Sequence, residues 1–118
     1  MPIQDLNYLE NIELQILASE IFLFSNIISL KATIDLKKQL ITNVDNPNIK
    51  KAAKFAASLQ LIGSILFLIL SLDEYNQEQN QNNSMFLKAN ILSTIATLIR
   101  FNTIINDPTS FTGSEDID

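Results

Sequence analysis

Glu10, Glu13 and Glu20 are the residues that come nearest to a reactive constellation in this chain. Spaced three and seven apart, they fall close to one helical face, as the carboxylate ligands of helical di-metal bundles do. Those bundles draw a Glu-x-x-His pair from each of two helices, and the chain has no histidine. A solvated acidic stripe is therefore the expectation, with no metal and no other cofactor. The absence of Cys and His also removes thiolate nucleophiles, disulfides, ordinary zinc sites and every triad built on imidazole. No Gly-rich phosphate loop or lipidation signature is present. These exclusions point to a non-enzymatic protein.

Two further charges stand out because they interrupt apolar runs: Glu20 in the first and Arg100 in the last. Buried alone, each would be costly by several kcal/mol. Either both lie at the edge of an apolar face and reach water, which is the preferred reading, or they are buried and paired with each other, with Gln60 or Asn26, or with a carbonyl. Glu20, Gln60 and Arg100 are accordingly the candidate polar residues for assembly.

The elements that must carry these residues are helices. The chain has 118 residues, two Gly, three Pro and no Trp, and it is rich in Ile, Leu, Asn and Ser, a balance that favours long helices over turn-rich sheets. No Gly or Pro occurs between Asp5 and Asn43, where apolar residues recur at helical spacing, so a helix is expected over about 5–43, with room for a bend near Ser25, Asn26 or Ser29. Asn43 to Asn48 reads as a tight turn, with Asn46 as cap and Pro47 at the first helical position. A second helix is expected over about 47–78 and a third, amphipathic one over about 85–106 with Ser84 as its cap. Residues 107–118 read as an acidic tail. The fold class is all-α: a long antiparallel hairpin plus a third helix in a single domain covering 1–106.

Phe55 to Leu72 passes without a charged side chain, a length on the border between a buried core helix and a membrane span. Tyr8, Tyr75, Phe86 and Phe101 lie near expected helix ends, where either core packing or a lipid interface accommodates them. The amino terminus, MPIQDLNYLENIE, has no basic residue ahead of an apolar run and so does not read as a cleaved signal.

Charge is distributed unevenly. Of eight bases, six (Lys31, Lys37, Lys38, Lys50, Lys51 and Lys54) surround the first turn, while Asp5, Glu10, Glu13 and Glu20 gather at the far end with Asp73, Glu74 and Glu78. By the rule that short Lys-rich loops stay inside, residues 31–54 would be cytoplasmic. A net charge of −5, with aromatics that do not interleave with the lysines, argues against a nucleic-acid partner.

The function expected is that of a small hydrophobic helical protein, of pore or scaffold type, that self-associates in or on a membrane. The alternative is a soluble, cytoplasmic structural subunit of a homo-oligomer or filament, burying helix 47–78 between protomers. Its support is the modest mean hydropathy of +0.16.

Overall fold

A computed structural model describes residues 3–108; the acidic tail lies almost wholly outside them. The described chain is three helices, α1 (Ile3–Thr42), α2 (Asn48–Gln77) and α3 (Gln81–Asn106), with no strand.

Local chemistry sets the boundaries. α1 runs unbroken through Ser25, Asn26 and Ser29, so the helix is not interrupted there. It ends on Asn43, whose φ of 58° is the left-handed conformation that asparagine tolerates better than most residues. The Asn43 amide closes that end by donating to the Gln39 carbonyl at 2.8 Å. In the turn, Gln39 Oε1 accepts from the Asn46 amide, and Asn46 Oδ1 accepts from the Asn48 amide, both at 3.0 Å. Asn46 thus serves the first amide of α2, but Pro47, expected at the first helical position, is the capping residue ahead of Asn48.

α3 starts four residues earlier than expected. Asn80, not Ser84, is its cap, accepting from the Asn83 amide at 2.8 Å. Residues 81–84, ahead of the expected start, form the helix's first turn. Asn83 also fastens the end of α2: its Nδ2 donates to the carbonyls of Glu74 at 3.3 Å and Glu78 at 2.8 Å.

α2 is the middle of a flat layer measuring 60 × 26 × 17 Å. α1 packs along one side of it and α3 along the other, while α1 and α3 scarcely touch. Both neighbours run antiparallel to α2. On α1 the buried positions are Ala18, Ser25, Ala32 and Leu36; on α2 they are Ile49, Ala53, Ala56, Ala57, Gly63, Ser64, Leu70 and Ser71; on α3 they are Thr97 and Ile104. Small residues dominate, and they recur every seven positions: Ala18, Ser25 and Ala32 on α1, and Ala57, Ser64 and Ser71 on α2. A seven-residue period keeps each set on one side of its own helix.

Such a seam lets backbones approach closely. Ser25 Oγ, fully buried, donates to the Ala56 carbonyl at 2.7 Å, directly from one helix to the main chain of the next. Seven residues further along α2, Gly63 leaves room for the Phe22 ring, which stacks on Phe67 with centroids 5.5 Å apart. A Cβ on Gly63 would meet three atoms of that ring at 3.0–3.2 Å.

Gly63→Ala is expected to change stability little, because the helix-propensity gain of about 1 kcal/mol offsets a modest shift of the ring. Gly63→Leu is expected to cost roughly 2–3 kcal/mol by prising α1 from α2. Denaturant unfolding followed by helicity compares the two; equal effects would mean that Gly63 does not set the approach.

Candidate helix interfaces and polar seam

Hydroxyl and amide groups line the side of α3 that faces α2, and large side chains line the side that does not. Ser64 Oγ donates to Thr97 Oγ1 at 3.1 Å, and Thr94 Oγ1 donates to the Ser64 carbonyl at 3.3 Å. One turn further out, Asn90 Nδ2 donates to Ser71 Oγ. At the hairpin end the seam is apolar: Ala53, Ala57 and Ile104 cluster there with Phe101 packed against them. Every buried side-chain nitrogen and oxygen among the described residues has a partner.

The broad apolar face of α3 points away from the layer. Phe86, Leu92, Leu98 and Ile99 are each more than half exposed, as are Leu23, Phe24, Ile27 and Leu30 on α1 and Phe55 on α2. The molecule is thus inverted relative to a soluble bundle, with small and polar residues between helices and large apolar ones outside.

Gln60 sits where the three helices come nearest to sharing a site. Its Nε2 donates to Asn26 Oδ1 on α1, and its Oε1 accepts from an Arg100 guanidinium nitrogen on α3, each at 3.4 Å. These residues, with Ser29, Ala53, Ala57 and Ile104, line a hollow of about 310 Å³ in the groove between α1 and α3. Arg100 is exposed there and Gln60 half-buried. Of the candidate assembly residues, the fold therefore joins Gln60 to Arg100 and adds Asn26.

Glu20 stands apart. It is exposed, pairs with neither Arg100 nor Gln60, and lines a separate hollow with Gln15, Ser19 and Phe67. That places it level with Phe67, about six residues or 9 Å along α2 from Asp73. Membrane insertion of α1 would call for Glu20 at the outer interface; the register sets it deeper.

No group of three or more carboxylates that could hold a metal ion forms among the described residues, so Glu10, Glu13 and Glu20 converge on no site. Of the basic cluster, Lys37, Lys38, Lys50, Lys51 and Lys54 are exposed, and Lys31 pairs with Asp35 at 3.2 Å one turn along α1.

Of the residues that hold the helices together, Ser25 stood out in the sequence only as a place for a bend, and Ser64, Ser71, Asn90 and Thr97 were not singled out. Their signal is the seven-residue period of small and hydroxyl side chains, which large aliphatic neighbours obscure. Comparison with protein-family models, curated proteins and solved structures gives no match.

A double-mutant cycle on Ser64→Ala and Thr97→Val is expected to give a coupling of about 0.5–1 kcal/mol in detergent unfolding. A coupling indistinguishable from zero would remove this hydroxyl pair from what holds α3 in place.

Proposed function

We propose that this chain is a non-enzymatic membrane protein that self-associates in the bilayer, as a small pore or scaffold subunit, with residues 31–54 toward the cytoplasm. The observation that carries the reading is the inverted packing. In lipid, helix association rests on close approach of small residues and on interhelical hydrogen bonds, while large aliphatic side chains are at home facing acyl chains. Ser25–Ala56, Ser64–Thr97 and Ser71–Asn90 are contacts of that kind.

α1 and α2 are long and apolar enough to cross a membrane. A core helix of a soluble protein passes the same test when it is mostly buried, but here only 11% of the apolar stretch of α1 and 33% of that of α2 is covered. Along α2, the interval from Lys54 to Asp73 is 19 residues, or about 28 Å, close to a hydrocarbon core of about 30 Å. Lysines mark one end of that interval and acids the other, in the sense of the positive-inside rule.

A soluble oligomer is the second reading, favoured by the poles themselves. A basic hairpin end and an acidic far end attract when protomers stack head to tail, and other copies would then cover the apolar faces.

Collecting membranes from cells expressing the full chain, then washing with alkaline carbonate and with mild detergent, separates the two. Release only by detergent is the expected outcome; a chain soluble without detergent ends the membrane reading. Glu20→Leu and Arg100→Leu are expected to keep helicity while losing self-association in cross-linking, since they remove the charged groups that lipid covers least well. Unchanged cross-linking in both variants would detach assembly from these charges.

A further inference from the structure

The hairpin end carries more than a topology signal. Lys31, Lys37 and Lys38 occupy the last turns of α1 and Lys50, Lys51 and Lys54 the first turns of α2, with Asp35 and Asp45 the only acids among residues 31–54. Six bases less two acids leaves +4 in a chain whose total is −5. The antiparallel hairpin gathers this charge into one band. Residues 31–38 span about 10 Å and residues 50–54 about 6 Å along their helices, comparable with the headgroup layer of roughly 5–8 Å on each side of a bilayer.

Apolar side chains are set among the lysines. Leu30 is exposed one position before Lys31, Ile34 between Lys31 and Lys37, and Phe55 one position beyond Lys54. A water-borne polyanion would leave those three uncovered. A lipid leaflet offers phosphate to the ammonium groups and acyl chain to the aliphatic ones.

We propose that this end of the molecule is a docking surface for anionic lipid headgroups, with Lys37, Lys38, Lys50 and Lys51 as its principal contacts. The proposal rests on the membrane reading and deepens it by naming the lipid class. Lys31 contributes less, because Asp35 already holds it. Clusters of this size beside a membrane helix select anionic lipid through summed attraction within a Debye length, so the preference is sensitive to salt.

The test uses the full chain in zwitterionic phosphatidylcholine vesicles carrying trace spin-labelled phosphatidylglycerol or phosphatidylcholine. Expected is a several-fold preference for the anionic label, falling toward one at about 0.5 M salt and in the Lys37→Gln, Lys38→Gln, Lys50→Gln, Lys51→Gln variant. The salt titration needs no variant, so it holds even if the substituted chain reconstitutes poorly. Equal association of both labels, or a preference that survives salt and substitution, overturns the proposal. So does displacement of the anionic label by a short single-stranded oligonucleotide, which would mark a general polyanion surface. Carbonate extraction of the same vesicles tells the two failures apart: a chain retained without lipid preference sinks this inference alone, whereas a chain stripped from the vesicles sinks the membrane reading with it.

Discussion

The close approach of α2 to both of its neighbours is the constraint from which the remaining structure follows. Ala56 and Gly63 on one side of α2, and Ala57, Ser64 and Ser71 on the other, bring α1 and α3 near enough for hydroxyl groups to bridge helices without long side chains. Narrow seams admit few large side chains, Leu36, Ile49, Leu70 and Ile104 among them, and most of the others are displaced outward. The polar groups in the seams are satisfied by one another, so the interfaces are specific. Little apolar area is removed from water in making them.

That last property bears on the surroundings the molecule requires. Burying apolar surface contributes about 25 cal/mol per Å², and ordering each residue costs more than 1 kcal/mol. Alanine and serine seams supply little of the first term. A lone copy in water would keep most of its large apolar side chains solvated, including more than half of the surface of Phe86, Leu92 and Ile99. Covering those faces with lipid or with further copies removes the deficit. The two proposed states differ in which material does so, and they agree that an isolated soluble monomer is not the working form.

Much of this architecture is legible in the sequence, because the signals for helix number and turns are local. The absence of Gly and Pro over 5–43, the Asn-Pro pair at 46–47 and the Asn-rich break near 80 each act on the backbone within a turn or two. The packing face is less legible. Leu and Ile on most sides of α1 and α2 carry no phase, and on α3 the conspicuous apolar stripe is the outward one, so a reading that equates large apolar residues with the core selects the wrong side. The start of α3 is obscured for a related reason: Asn80 and Ser84 are both acceptable caps by type, and only the reach of Asn83 back to the end of α2 decides between them. Register between helices leaves no local trace, and the depth of Glu20 depends on it.

Glu20 and Arg100 are where this register bears on the proposed assembly. Taking Lys54 and Asp73 as the ends of the uncharged interval on α2, Arg100 is level with Gln60 and Glu20 with Phe67, so each lies about 9 Å inside one end, on opposite halves and on different helices. Pairing within one chain is not available to them: Arg100 is bound to an amide oxygen in the α1–α3 groove, and Glu20 sits beside Gln15 and Ser19 in its own hollow. A charge at that depth facing acyl chains is costly, and snorkelling recovers only part of the cost. The economical arrangement covers both hollows with protein. Because they open at different heights, contacts between copies that cover both would fix rotation and register together, whereas the featureless aliphatic faces would fix neither. Charged side chains that weaken the case for a single inserted copy thereby strengthen the case for an assembled one.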